Sequence, residues 1–137
     1  MNYTIKQVSD MTGLPASTLR YYEKENLLPE INKNTSGIRI YTKHDLDWIS
    51  TIICLKNTDM RLKDIKKFVN LCALGDSTLQ DRKELILTHK HTVELKIAEL
   101  QHHLEHINFK SDYYETACKA GTEAQLKESK YPDKFIK

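Results

Sequence analysis

A tight turn between two short helical patterns constrains this chain more than any other feature. Thr4 and Gln7 have the spacing of a capping box at the start of the first pattern, and Gly13 suits its end. Pro15 suits the first turn of a second helix. The apolar face of the first pattern consists of Ile5, Val8 and Met11. Two short helices joined in this way predict a helix-turn-helix, a motif that places its second helix in the major groove of DNA.

The second helix is expected to expose a set of polar side chains suited to reading DNA. They are Ser17, Thr18, Arg20 and Tyr21. Hydroxyl and guanidinium groups can meet phosphates or base edges in the major groove, and Arg20 is the best candidate for a base contact. The ordinary alternative for Arg20 is an ion pair with Glu23 or Glu25.

The next segment reads as a wing followed by two further helices. Residues 32–37 are rich in turn formers, and residues 38–41 alternate like a short strand. Thr42 can cap a third helix that continues to about Asn57. Apolar spacing over residues 62–71 predicts a fourth helix.

From Leu79 onward, apolar residues recur at heptad spacing, and neither proline nor glycine occurs before Gly121. The heptad positions are Ile86, Val93, Ile97, Leu100, Leu104, Ile107 and Tyr114. A single long helix would carry this stripe, which is longer than the small N-terminal part can cover. The stripe predicts a coiled coil between two copies of the chain. A helix folded back on its own domain is the alternative.

Several short motifs, in this order and at this spacing, resemble the MerR family of bacterial transcription regulators. They are Ser-Thr-Leu-Arg-Tyr-Tyr-Glu at 17–23, Leu-Leu-Pro at 27–29, Gly-Ile-Arg-Ile-Tyr at 37–41, Leu-Lys at 55–56 and Leu-Lys-Asp-Ile at 62–65. The resemblance covers about the first half of the chain. It implies a mainly α fold, in which a winged helix-turn-helix domain precedes a long helix that forms an antiparallel coiled coil in a homodimer.

The resemblance also implies a division of the chain. Residues 1–71 would form the winged DNA-binding domain, 72–78 a hinge, 79–117 the dimerisation helix and 118–137 a C-terminal tail that is weakly ordered or a short packing segment. The dimer would bind double-stranded DNA in a promoter spacer and distort it for RNA polymerase, which activates or represses transcription. The residues expected to contact DNA are Ser17, Thr18, Arg20, Tyr21, Tyr22, Lys33, Arg39, Tyr41 and Lys56. For Tyr22, a place in the core is equally open.

Cys54 and its neighbours along the chain resemble the NmlR or AdhR branch of the family, which senses reactive carbonyls or thiol stress through one cysteine at this place. Such a sensor needs an exposed thiol near positive charge, because the thiolate is the reactive species. Lys43 and Lys56 are candidate neighbours. The alternative is a small buried residue. The other two cysteines, Cys72 and Cys118, are weaker candidates.

Several other classes of protein fit the sequence poorly. Three cysteines without a C-x-x-C motif argue against a zinc finger, and the paired thiols of metal-sensing relatives are missing, so no metal or cofactor is expected. His102 and His106 have metal-ligand spacing, but a solvated helix face is the ordinary interpretation. Neither a phosphate-binding loop nor a nucleophile elbow is present, so an enzyme is not expected.

No apolar run reaches membrane length and the N-terminal residues lack the charged and apolar regions of a signal peptide, which favours the cytoplasm and no membrane contact. The net charge of +2 is too small to argue for nucleic acid by itself. Two rival functions stay open at this point. One is a constitutive local repressor without a small-molecule inducer, and the other is a coiled-coil interaction module.

Overall fold

The computed structural model describes residues 1–126 and 132–136, which form two compact units, Met1–His89 and Lys90–Lys137. The elements in chain order are β1 (Asn2–Tyr3), α1 (Ile5–Thr12), α2 (Ala16–Lys24), β2 (Asn32–Lys33), β3 (Arg39–Thr42), α3 (Lys43–Asn57), α4 (Leu62–Ala73), a 3-10 turn (Asp76–Thr78), α5 (Leu79–Ala120) and a second 3-10 turn (Asp133–Phe135). The mainly α fold with a winged helix-turn-helix and one long helix is therefore confirmed. Within the described ranges, no helix is long and apolar enough to cross a membrane.

The ends of the first and third helices are fixed by the side chains that the sequence indicated. The Thr4 hydroxyl accepts from the Gln7 backbone N–H at 3.1 Å, and the Gln7 side chain accepts from the Thr4 N–H at 2.8 Å. Thr42 and Asp45 form the same reciprocal pair at the start of α3. Each such cap contributes about 0.5–2 kcal/mol. Gly13 ends α1 in the left-handed region with φ 75°, which closes the turn before α2.

The wing is the hairpin of β2 and β3, and it belongs to a small three-stranded sheet in the order β1-β3-β2. The Asn34 side chain accepts from the backbone N–H groups of Ser36 and Ile38 and holds the tip, where Gly37 has φ 79°. Strand β1 pairs antiparallel with β3. The sequence analysis did not predict β1, because two residues carry no measurable periodicity.

The core of the N-terminal unit draws on every helix and on β3. Its fully buried apolar side chains are Val8, Leu19, Leu27, Tyr41, Ile49, Ile52 and Ile65. Trp48 packs at the edge of this core, with its indole N–H donating to the Leu27 carbonyl at 2.9 Å and its ring stacked on Phe68. Met11, predicted on the inner face of α1, is instead exposed and lines an open cleft of about 360 Å³ beside Leu46.

The junction between α4 and α5 is held by several hydrogen bonds. The buried Thr78 hydroxyl lies within hydrogen-bond distance of the carbonyls of Leu71 and Gly75, and Arg82 donates to the Gly75 carbonyl and to the Thr78 hydroxyl. Leu85 packs against the core, so the first turns of α5 belong to the N-terminal unit. Both helices end later than the sequence indicated, since α4 reaches Ala73 rather than residue 71, and α5 reaches Ala120 rather than residue 117.

In the second unit, the described end of the tail packs against α5. Phe135 stacks on His106 with ring centroids 4.7 Å apart, and it also contacts His102 and Phe109. Lys134 forms an ion pair with Glu105 at 3.2 Å. His106 is half-buried against the Phe135 ring, whereas His102 stays exposed, so the interpretation as a solvated helix face is wrong for His106 only. Of the predicted tail, residues 118–137, the segment 127–131 and residue 137 lie outside the described residues.

Candidate nucleic-acid interface

Helix α2 has one buried and one exposed side, as a recognition helix requires. Leu19 is fully buried, whereas Ser17, Arg20 and Tyr21 are exposed and Thr18 is half-buried. The three exposed residues follow i, i+3 and i+4 spacing, so they share one face of the helix. This face offers hydroxyl groups and one guanidinium to a partner.

Arg20 is available for an external contact because its two local acidic partners are already engaged. The Glu23 carboxylate binds Nε of Arg39 at 2.6 Å, and the Glu25 carboxylate binds Nζ of Lys66 at 2.9 Å. Arg20 is exposed and forms no ion pair with any residue that the structure describes. The alternative of an intrahelical ion pair is therefore wrong.

The wing adds positive charge beside this helix. Lys33 on β2 and Arg39 on β3 occupy directly opposite positions in the hairpin. Two like charges facing each other across strands are unfavourable, and Glu23 of α2 offsets this by pairing with Arg39. The ion pair also ties the wing to the helix-turn-helix. An anion beside Lys33 would relieve the remaining repulsion.

Two tyrosines expected to touch DNA lie in the core. Tyr22 is 2% exposed and Tyr41 is fully buried. The Lys56 ammonium lies 5.1 Å from the centre of the Tyr22 ring, so this lysine stays near the surface of α3 while the ring packs below it. Burial of both side chains withdraws them from phosphates in the unbound protein. Their predicted role as DNA contacts is corrected to packing.

The Tyr41 hydroxyl is unusual because it has no hydrogen-bond partner in the part of the chain that the structure describes. Burial raises the pKa of Tyr41, and the Glu23 carboxylate raises it further, whereas Arg39 and Arg20 lower it. The phenol is therefore subject to the charges of both α2 and the wing.

Cys54 is exposed on α3, so its alternative interpretation as a packed core thiol is wrong. Cys72 is half-buried, and Cys118 is exposed on α5. Both lysines that were expected to flank Cys54 have other contacts. Lys43 pairs with Asp47, whose hydrogen bond and charge raise the pKa of Lys43, and Lys56 lies over the Tyr22 ring.

The α3–α4 turn connects Cys54 to α5. The Thr58 hydroxyl donates to the Cys54 carbonyl at 2.8 Å and lies 2.7 Å from Nε2 of His89. The Cys54 carbonyl is thus linked through Thr58 to His89 on α5.

The heptad stripe of α5 is exposed over most of its length. Leu100 is 67% exposed and Ile107 is 63% exposed, and Ile86, Ile97, Leu104 and Tyr114 are also open to solvent, while Val93 is half-buried. His102, His106 and Phe109, which contact Phe135, lie on the opposite side of the helix at about 100° per residue.

The long-range ion pairs had no signal in the sequence analysis. Glu23 and Arg39 are 16 residues apart, and Glu25 and Lys66 are 41 apart. Local periodicity reports only on neighbours within one element, whereas these contacts depend on how elements pack. The available indication was the presence of Glu23 and Glu25 at the end of a helix that is expected to bind DNA, where unpaired carboxylates would repel phosphates.

Two family models match the chain. MerR HTH family regulatory protein matches residues 3–71, and MerR, DNA binding, matches residues 46–108. An HTH-type transcriptional regulator of Haemophilus influenzae is 39% identical over 122 residues, which is 89% of this chain and 90% of the relative. The HTH-type transcriptional regulator AdhR of Bacillus subtilis is 38% identical over 82 residues, or 60% of this chain and 59% of AdhR.

Solved structures agree with these relatives. The crystal structure of HiNmlR, a MerR family regulator lacking the sensor domain, bound to promoter DNA, has a TM-score of 0.89 and 37% identity, and the match covers 96% of this chain and 100% of that one. A MerR family regulator from Bacillus thuringiensis has a TM-score of 0.74 at 37% identity, with 82% and 98% of the two chains covered. The chain therefore belongs to the MerR family of DNA-binding transcription regulators, in the branch of HiNmlR and AdhR, and it is not an enzyme.

Proposed function

We propose that the chain acts in the cytoplasm as a homodimer that binds a promoter spacer and controls transcription by distorting the DNA. The observation that carries this proposal is the exposed face of α2, on which Arg20 is uncommitted because Glu23 and Glu25 pair with Arg39 and Lys66. A guanidinium presented in this way can donate two hydrogen bonds to a guanine. Lys33 and Lys56 would add phosphate contacts on either side.

The exposed stripe of α5 supports the dimer. An apolar seam from Ile86 to Tyr114 is stable in water only when a second surface covers it, and an antiparallel copy offers the same residues. A two-fold dimer carries two recognition helices, so its binding site is expected to be pseudo-palindromic. HiNmlR, which shares the fold over nearly the whole chain, was crystallised on promoter DNA.

The proposed mode of action is the alignment of promoter elements. In this family, the dimer binds within an over-long spacer and bends and untwists it, so that RNA polymerase can engage both elements. Bending a site of this size costs on the order of 1–6 kcal/mol, which the contacts of helices and wings must offset.

Transcription in vitro tests this mode of action. The template is the promoter beside the chain's own gene, either with its natural spacer or with the spacer shortened to ordinary length. We expect the protein to change transcription from the natural promoter and to be dispensable or inhibitory on the shortened one. Equal responses on the two templates would contradict control by distortion. Simple repression of both would favour the constitutive repressor.

We further propose that Cys54 receives the signal, as a thiol that reacts with electrophiles such as aldehydes or quinones. Its exposure supports access by a reagent, and its carbonyl contact with Thr58, which in turn contacts His89, offers a route to α5. A covalent adduct on Cys54 would crowd the α3–α4 turn. The position of each DNA-binding unit on its dimerisation helix would then change.

Thiol reactivity can be measured at each cysteine separately. Brief alkylation of the folded dimer with a small maleimide, followed by mass spectrometry of its peptides, gives three rates. We expect Cys54 to react faster than the half-buried Cys72, with fully unfolded protein as the reference for intrinsic reactivity. If Cys54 is as slow as Cys72 in the dimer, the partner covers it and the sensor assignment fails.

A further inference from the structure

The Tyr41 hydroxyl is a donor held in the core without an acceptor. Nearly all buried polar groups in folded proteins are paired, and an unpaired one destabilises the state that contains it. Tyr41 is fully buried, and no residue in the described ranges accepts its proton. A phenylalanine would fill the same space without this free-energy cost. The hydroxyl therefore does not stabilise the unbound protein, and its role is expected in a bound state.

The nearest charged pair supplies a candidate acceptor. Arg39 and Tyr41 are two residues apart on β3, so their side chains leave the same face of the strand. Arg39 binds Glu23 through Nε and Oε2, and both side chains are about one-quarter exposed. The Glu23 carboxylate raises the pKa of Tyr41 and Arg39 lowers it, in keeping with this placement.

We propose that Tyr41 is a positioning residue for DNA binding. When Arg39 moves from the Glu23 carboxylate to a DNA phosphate, the Tyr41 hydroxyl donates a hydrogen bond to that carboxylate. The Glu23 carboxylate holds the Arg39 guanidinium through Nε, and a phosphate that draws this guanidinium toward the DNA would break the contact. Once released, Glu23 would face the anionic backbone without a partner. A hydrogen bond donated by the Tyr41 hydroxyl would hold the carboxylate inward and away from the phosphates.

The exchange explains both unusual features of the site. In the unbound protein, Arg39 is held in place and Tyr41 is unpaired. In the complex, each group has a partner, so the free energy of pairing Tyr41 favours the bound state only. The inference rests on the proposed function, with Arg39 added to its phosphate contacts, and it adds a residue that never touches DNA.

Tyr41→Phe is the direct test, because it removes only the hydroxyl oxygen. We expect thermal unfolding of the free variant to be unchanged or to occur at a higher temperature, since no hydrogen bond is lost. Affinity for promoter duplex, measured by fluorescence anisotropy, should fall about tenfold or more, the usual value of a hydrogen bond to a charged group. Tyr3→Phe is the matched control, because Tyr3 pairs with Tyr41 across the sheet and should bind as the wild type does.

A double-mutant cycle with Glu23→Ala separates the exchange from a general effect on the fold. Without the Glu23 carboxylate, the Tyr41 hydroxyl has no acceptor in the complex. Adding Tyr41→Phe to the Glu23→Ala variant should therefore change DNA affinity by less than about twofold. An undiminished loss in the Glu23→Ala background would overturn the proposal, as would wild-type affinity in Tyr41→Phe or a loss accompanied by lower stability. If the wild type itself fails to bind duplex DNA, the proposed function fails instead.

Discussion

Replacing Leu100 by glutamate is expected to separate the two protomers. Leu100 lies in the middle of the exposed α5 stripe, and two-thirds of its surface is open in the single chain. In a two-fold dimer the substitution occurs twice. Each copy removes apolar contact and places a carboxylate in a seam where it has no partner.

The size of the effect follows from this exposure. Burying a whole leucine side chain contributes about 1.5–3 kcal/mol, so two-thirds of two leucines contribute about 2–4 kcal/mol. Enclosing two unpaired carboxylates costs several kcal/mol more. A total loss above about 5 kcal/mol raises the dimer dissociation constant by more than about a thousandfold, at 1.4 kcal/mol for each factor of ten.

Sedimentation equilibrium at several micromolar concentrations measures the outcome. Leu95→Glu is the matched control, because Leu95 is equally exposed on α5 but lies about 140° round the helix from Leu100. We expect the Leu100 variant to be a folded monomer and the Leu95 variant to stay dimeric. If the Leu100 variant sediments as the wild type does, the stripe is not the dimer interface.

Three further substitutions test other parts of the site. Arg20→Ala should weaken binding to the specific promoter by about 1–3 kcal/mol in anisotropy titrations, and an equal loss on random duplex would assign Arg20 to a phosphate instead. Cys54→Ser should keep DNA binding but abolish the transcriptional response to an aldehyde or quinone. Cys118→Ser is the control and should respond normally. A fully responsive Cys54→Ser protein would refute the sensor assignment. The raised pKa of Tyr41 means that the folded state favours the neutral phenol, so this group's contribution to stability is present below the ordinary pKa of 10.0 and is lost as pH rises above it. Chemical denaturation at about pH 9 and pH 11 should therefore show a smaller alkaline loss for Tyr41→Phe than for the wild type, and equal losses would contradict the assignment.

Local signals were sufficient for most of the fold. The capping box at Thr4 and the N-cap at Thr42 marked helix starts that the structure reproduces, because a cap depends only on residues a few positions apart. The heptad stripe predicted one uninterrupted helix, and α5 is that helix. Its end was placed too early, since the sequence after Tyr114 continues as helix without further heptad residues.

The parts that were missed depend on contacts between elements. Whether Tyr41 faces a phosphate or the core depends on how β3 packs, and its position in a short alternating strand fits either. The same limit applies to Glu23, whose partner comes from the wing rather than from its own helix. Phe135 contacts His102 and His106 from near the chain's end, and helical spacing could not indicate this contact.

The most direct test of the account is the salt dependence of binding to promoter duplex. Anisotropy titrations at a series of salt concentrations give the slope of log K against log salt, which is about −0.9 for each phosphate contact. With Lys33, Arg39 and Lys56 presented by each protomer, we expect a slope of several units. Replacing one of these residues should make the slope shallower by about two, because the dimer loses one phosphate contact in each half-site. A slope near zero, or binding that does not require duplex DNA, would contradict the assignment of this surface to DNA.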